Sequence, residues 1–239
     1  MFDSSEVHVW LVNPGELHDP DLLREYHALM NATERRKHDR YRLEKHRHES
    51  LVTRALVRTT LSRYCPEIAP ADWEFVEVAN GRPEIVDGQA SLPLRFNVSR
   101  TEGLIACAVA LDRAVGVDIE CTDLRRSFTA IAERCFAPAE QRHLGAQPAE
   151  RFYRYWTLKE AYVKARGFGL SVPLNQIAFE HGDDGIISVS FDARLGDDPA
   201  RWCFRLETPT PRHVLALAVE TRPGDDLRVR LHPVVPLRS

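Results

Sequence analysis

"LIACAVALDRAVGVDIECT", residues 104–122, holds the reading that decides the fold. Its first eight residues are apolar or small without interruption, which reads as a strongly apolar strand. Asp112 to Ala114 break the run. "VGVDIE" (115–120) then alternates, and a side-chain period of two puts Asp118 and Glu120 on one face. Val117 and Ile119 face the other way, into a core. A second apolar strand, "HVLALAVE" (213–220), lies near the other end of the chain. Each half of the sequence therefore closes on a strand of the same kind. This faint internal repeat places a junction near Asp112 and predicts two halves, 1–112 and 113–239.

Outward from that stretch, strands and helices mix without a βαβ rhythm, so the expected class is α+β. "EVHVWLV" (6–12) reads as a first strand and "DPDLLREYHALM" (19–30) as a helix capped by Asp19 or Asp21. Residues 33–64 read as one or two helices, with Thr33 as N-cap. The prolines of "CPEIAPADW" (65–73) end them. "WEFVEVANGRPEI" (73–85) reads as two strands joined at Asn80-Gly81, and "LRFNVSR" (94–100) as the strand before the opening stretch. Two helices are expected in "FTAIAERCFAPAEQRHL" (128–144). A longer one is expected over "PAERFYRYWTLKEAYVKARG" (148–167), stopped by Gly167 and Gly169. "IISVSFDA", "WCFRLETP" and "HVLALAVE" complete the strands.

The 239 residues are 44% apolar and 28% charged, an ordinary soluble composition able to bury a core. A formal net charge of -3 argues against general nucleic-acid affinity. The five cysteines are scattered and form no C-x-x-C pair, so neither a zinc site nor a disulfide framework is indicated. No apolar run is long enough to span a bilayer, and the acidic N-terminus is not a signal peptide. A cytoplasmic, reduced protein with no membrane or nucleic-acid partner is expected.

Two motifs carry chemistry. Taken alone, the D-x-E pair of Asp118 and Glu120 is a solvated strand end. With a cation between the carboxylates it is a Mg²⁺ site, because Mg²⁺ takes one or two carboxylates and fills its shell with water and phosphate oxygens. On the helix of "WTLKEAYVK" (156–164), Tyr155, Leu158, Tyr162 and Ala165 form the buried stripe, flanked by Trp156 and Val163. Tyr153, Thr157, Glu160 and Lys164 share the opposite face, where Glu160 and Lys164 at i, i+4 are by themselves a surface pair contributing a few tenths of a kcal/mol. Combined, Asp118, Glu120 and Glu160 supply three carboxylates to one Mg²⁺, with Lys164 aimed at the same phosphate-rich site. The segment Glu34–Glu49 adds seven Lys/Arg against four acids. Such a run is a wet helix face, a phosphate cradle or a dock for an acidic partner. Arg82 in "NGRPEI", and Ser99 with Arg100 in "NVSRTEG", could each contact phosphate.

These motifs, in this order and spacing, resemble the Sfp-type 4'-phosphopantetheinyl transferases. The likeness is carried by "GRP" (81–83), "FNVSRTEG" (96–103), "VGVDIE" (115–120), "RCFAPAE" (134–140) and "WTLKEAYVKARGFGL" (156–170), and runs from about Thr33 to Leu174. The resemblance implies two pseudo-symmetric α/β subdomains with the active site in the cleft between them. It implies transfer of the phosphopantetheine arm of coenzyme A to a serine of an apo acyl or peptidyl carrier protein, leaving adenosine 3',5'-bisphosphate. Asp118, Glu120 and Glu160 would hold Mg²⁺. Lys164 would contact the phosphates and assist the leaving group, and Glu160 would accept the serine proton. Lys37, Ser50, Arg82, Ser99 and Arg100 would line the coenzyme A site together with Asp118 and Lys164. Glu140 matches an acid near the metal. A monomer is expected.

The chain departs from the family where His usually follows the serine of the "FNVS" motif. Here Arg100 stands there, and a guanidinium grips phosphate but does not shuttle a proton. Arg82 replaces a more frequent Lys, and Glu34 falls where relatives are often basic. Two other activities use similar residues. A metal-dependent nuclease wants its lysine on the same strand as an acid, whereas this Lys-Glu pair lies in an aromatic helix. A non-catalytic coenzyme A or carrier-protein binder needs no three-acid site.

Overall fold

The computed structural model describes residues 2–78, 81–123, 128–145, 148–167, 172–181, 186–222 and 224–238. It divides into two compact units, Met1–Asp112 with Leu227–Ser239, and Arg113–Asp226. The architecture is α+β.

The first unit begins with β1 (Glu6–Val12), α1 (Pro20–Leu29), α2 (Ala32–Asp39) and α3 (Glu44–Tyr64). A short hairpin follows, β2 (Phe75–Glu77) and β3 (Pro83–Ile85), then β4 (Leu94–Thr101) and β5 (Leu104–Leu111). The strand β11 (Arg228–Pro233) completes a four-stranded sheet in the order β11-β1-β5-β4. β5 is central in it, which is why its sequence is apolar from end to end. Thr101 pairs with Leu104 across a two-residue turn in which Gly103 has φ 81°, a conformation glycine adopts without steric cost. The 21-residue helix α3 covers one face of the sheet, burying Val52, Leu56 and Leu61 with Phe96, Cys107 and Val109.

The second unit repeats this topology. β6 (Val115–Cys121) is followed by α4 (Thr129–Cys135), α5 (Pro138–His143) and the long α6 (Pro148–Arg166). A hairpin of β7 (Ile177–His181) and β8 (Ile187–Phe191) precedes β9 (Trp202–Thr210) and β10 (His213–Glu220). The sheet order is β6-β10-β9, again first, last and penultimate strand of the unit, all antiparallel. The second apolar run, β10, is again the central strand.

Two expectations need correction. Residues 227–239 do not belong to the second half, because β11 pairs in parallel with β1, Glu6 opposite Arg228 through Leu11 opposite Pro233. The N-cap of α2 is Asn31, not Thr33. Its side chain accepts from the Glu34 backbone N–H, while the Glu34 carboxylate accepts from the Asn31 N–H, a reciprocal capping box. The stretch 33–64 is two helices, broken between Asp39 and Glu44. Two strands, β7 and β11, had no counterpart in the sequence reading. Asn80 and Gly169, expected in a turn and a helix stop, lie outside the described residues. Gly167 does end α6, with φ 68° and its N–H on the Val163 carbonyl.

Candidate active site

The face of β6 that carries Asp118 and Glu120 also carries Gly116, and α6 packs directly onto it. A Cβ built at Gly116 would lie 2.0 Å from the Ala161 carbonyl oxygen and 2.5 Å from the Ala165 backbone nitrogen. Only glycine admits the helix at this distance. Ala216 and Ala218 of β10, beside Asp118 and Gly116 in register, keep the neighbouring surface equally low. Small residues thus seat the C-terminal half of α6 on the sheet, and the two acids meet its polar stripe.

That stripe is Trp156, Glu160 and Lys164, at successive i+4 positions. The Lys164 ammonium donates to Asp118 Oδ1 at 2.7 Å and to the Val117 carbonyl at 3.1 Å. The Trp156 indole N–H donates to Glu120 Oε1 at 3.1 Å. Glu160 stands between them on the helix. Its Oε1 is buried and has no hydrogen-bond partner. Burial is the largest influence on this carboxyl, the charge of Asp118 the next. Lys164 pulls the other way and Glu120 adds to the rise, leaving Glu160 pushed up to about 7 from an ordinary 4.5.

This polar stripe is not the solvated surface that helical spacing suggested. Thr157 and Tyr153, expected on the wet side, are buried, and Thr157 spends its hydroxyl on the Tyr153 carbonyl. The stripe is a half-buried edge packed against β6. Helical spacing identifies Glu160 and Lys164 correctly as neighbours. Trp156, placed beside the buried stripe on sequence, is a third member through its indole N–H.

The donor set suits a hard cation. Three carboxylates against one ammonium leave an excess of negative charge, and a buried carboxylate oxygen lacks a hydrogen. Among the described residues no three or more acidic, imidazole or thiol side chains are grouped closely enough to hold a metal ion by themselves. Mg²⁺ needs no such group, since it is bound through one or two carboxylates and completes its coordination with water and phosphate oxygens.

The raised Glu160 has a consequence for stability. Its folded value lies above its unfolded one, so the folded state binds the extra proton between about 4.5 and 7. Without metal, this residue's contribution falls as pH rises through that window. Thermal melts in EDTA at pH 5 and pH 8 should show wild type losing more stability at the higher pH than Glu160→Gln does. Parallel profiles for the two proteins would contradict it.

The candidate residues of the first unit are spread over α2, α3, the lead-in to β3, and β4. Lys37 lies on α2 and pairs with Glu77 of β2. Ser50 is buried on α3. Arg82 immediately precedes β3 and pairs with Glu84. Ser99 is buried on β4. Arg100, next to it, donates to the Tyr41 hydroxyl at 3.1 Å, its guanidinium 5.6 Å from that ring's centre.

Glu140, expected near the metal, spends both carboxylate oxygens on other partners. Its Oε2 accepts from Lys159 at 2.8 Å and from the Ala137 N–H at 2.8 Å, and its Oε1 from the Phe179 N–H at 2.9 Å. Both oxygens are used. Lys159 is 0% exposed. It also donates to the Leu174 carbonyl at 2.9 Å and to that of Ile177. Burial pulls its ammonium down while Glu140 holds it up. Helical spacing contains the signal for this: Lys159 follows Tyr155 by four and precedes Tyr162 by three, inside the apolar stripe. The pair ties α5, α6 and β7 together immediately beside Glu160.

A family model described as the 4'-phosphopantetheinyl transferase superfamily matches residues 114–218, the region from the start of β6 into β10. The chain is 32% identical over 221 residues to the 4'-phosphopantetheinyl transferase HetI of a Nostoc species, covering 90% of this chain and 88% of HetI. It is likewise 32% identical over 167 residues to a 4'-phosphopantetheinyl transferase of Bacillus subtilis, 68% of this chain and 71% of that one. A Thraustochytrium phosphopantetheinyl transferase is 29% identical over 214 residues, 83% of this chain and 73% of the relative. Similarity of this extent to HetI reaches from one unit into the other and far beyond the acidic strand and its helix: the chain belongs to the 4'-phosphopantetheinyl transferase family of enzymes.

Proposed function

We propose that the protein transfers the 4'-phosphopantetheine arm of coenzyme A to a serine hydroxyl of an apo acyl or peptidyl carrier protein in a Mg²⁺-dependent reaction. The observation that carries the reading is the convergence of Asp118, Glu160 and Lys164 on one edge between β6 and α6, with Glu160 held near neutral affinity for a proton. In the reaction the serine oxygen bonds to the phosphorus on the pantetheine side of the pyrophosphate. The bond from that phosphorus to the bridging oxygen breaks, and adenosine 3',5'-bisphosphate leaves with the oxygen. Asp118, Glu120 and Glu160 would hold Mg²⁺, which supplies charge neutralisation at the pyrophosphate. Glu160 takes the serine proton, directly or through water, and its raised affinity suits that task near neutral pH. Lys164 turns an ammonium toward the leaving phosphate. In the first unit, Lys37, Ser50, Arg82, Ser99 and Arg100 supply cations and hydroxyls for an anionic cofactor.

The five cysteines are free and, among the described residues, no helix is long and apolar enough to cross a membrane. The direct test is release of adenosine 3',5'-bisphosphate from coenzyme A, followed chromatographically. Release should require both apo carrier protein and Mg²⁺ and should stop with EDTA. Release without a carrier protein would mean hydrolysis, and the reading would fail.

The partner's class follows from charge. Arg35, Arg36 and Arg40 are exposed on and just after α2, and they face solvent where an acidic carrier protein could approach. Reversing all three to Glu should raise the carrier-protein KM by about tenfold with little change in the coenzyme A KM, an effect that shrinks in high salt. An unchanged carrier KM would remove this surface from the account.

A further inference from the structure

The helix α2 has no apolar anchor. Its eight residues bury only Glu34 and His38, whereas a helix in a globular protein is ordinarily held by an apolar stripe. What holds it is a buried guanidinium. Arg58 of α3 is 0% exposed. It donates to Glu34 Oε2 from Nε at 3.1 Å and from Nη2 at 2.7 Å. The same carboxylate oxygen accepts the Asn31 N–H that closes the cap of α2. From Nη1, Arg58 also reaches the carbonyls of Pro70, Ala71 and Trp73, at 3.0, 3.1 and 3.0 Å. Its guanidinium carbon lies 5.3 Å from the ring centre of Phe75 on β2.

One side chain thus references two separate elements: α2 through Glu34, and the lead-in to β2 through three carbonyls and a ring. Those elements carry Lys37 and, across the β2–β3 hairpin, Arg82. The outer ends of the two are joined again by the Lys37–Glu77 ion pair. This also accounts for an acid in an otherwise basic segment: Glu34 is turned inward as the ligand of Arg58.

We propose that Arg58 is a positioning residue for anion binding, and that the Glu34–Arg58 pair fixes where the cations of α2 and the β2–β3 hairpin meet the phosphates of coenzyme A. For its ligand the inference rests on the functional reading above. For the anchoring of α2 it rests on the buried contacts alone. Arg58 touches no reacting atom, so its loss acts on affinity and not on the chemical step.

The test uses the full-length protein and two readouts. Arg58→Met keeps the apolar stem and removes the fork. It should raise the KM for coenzyme A by about tenfold while kcat stays within about twofold. Amide hydrogen exchange in residues 32–39, the helix α2, should quicken relative to α3. Arg58→Lys, which keeps the charge but cannot reach all four partners at once, should fall between the two. If Arg58→Met does not fold, Glu34→Gln gives the same readouts, since it keeps the cap oxygen and leaves the guanidinium on its three carbonyls. An unchanged coenzyme A KM, or a fall in kcat with α2 exchange unaltered, would overturn the proposal. A wild-type protein that does not consume coenzyme A would overturn the functional reading instead, and the exchange data would still show whether Arg58 anchors α2.

Discussion

Asp118→Ala and Glu160→Ala should each lower Mg²⁺-dependent transfer by at least about 10²–10³-fold, or about 3–4 kcal/mol of transition-state stabilisation, the range for removing one member of a preorganised charge clamp. The two losses have different causes. Asp118 holds the Lys164 ammonium at 2.7 Å, so under the proposed function its truncation would remove a carboxylate facing the metal and release the cation proposed for the leaving group. Glu160 is a carboxyl whose proton affinity is raised first by burial and then by Asp118 and Glu120, so under the same proposal its truncation would remove a metal-facing oxygen and a proton acceptor together. Raising Mg²⁺ should recover part of the Asp118→Asn defect, because an amide oxygen can still face a hard cation. It should recover none of the Glu160→Ala defect at saturating metal. Neither change should alter the far-ultraviolet dichroism. Wild-type rates in both alanine variants would remove this edge of β6 and α6 from the catalytic account.

The second large effect is on stability. Lys159→Met should destabilise the protein by about 3–5 kcal/mol, the cost of leaving one member of a buried ion pair without its partner. Glu140 would keep its two backbone N–H donors but lose the Lys159 cation, at a buried position. Two carbonyls, those of Leu174 and Ile177, would lose a donor as well. Adding Glu140→Gln should restore part of the loss, because a buried charge is then no longer stranded. Chemical denaturation of the single and double variants measures this directly. If the single variant lost less than about 1 kcal/mol, Lys159 would rank with ordinary surface cations. A destabilised but folded Lys159→Met should also lose activity, since Lys159 precedes Glu160 on the helix and its anchoring fixes that turn of α6.

The sequence was most readable where one physical requirement dominated. β5 and β10 are central strands, buried on both faces, and their unbroken apolar runs announced it. The alternation in β6 placed Asp118 and Glu120 together, and the i+4 spacing did the same for Glu160 and Lys164. Gly116 looked unremarkable because its reason, the Ala161 carbonyl lying against it, belongs to a residue 45 positions away. β7 and β11 escaped notice for an energetic reason. β11 alternates exposed arginines with half-buried Val229 and Leu231 at a sheet edge, and β7 pairs only in a two-stranded hairpin. β11 buries little apolar surface, and β7 buries only Ile177 and Phe179, too short an alternation to mark its sequence. Thr33 fits the N-cap preference as well as Asn31 does, and only the reciprocal bond to Glu34 distinguishes them. Lys159 and Arg58 are the clearest cases of what spacing conceals. Each is a cation in a segment rich in charge, and each is internal because specific carbonyls and one carboxylate surround it. Charge in a sequence signals solvent by default, and these two sites are where tertiary partners reverse that default.

The most direct measurement is the intact mass of an apo carrier protein incubated with this protein, coenzyme A and Mg²⁺, across a panel of acyl and peptidyl carrier proteins. The account predicts that at least one gains the mass of a single phosphopantetheine group, that the gain maps to one serine, and that EDTA or Glu160→Ala prevents it. No mass gain on any carrier, with coenzyme A left intact, would contradict it.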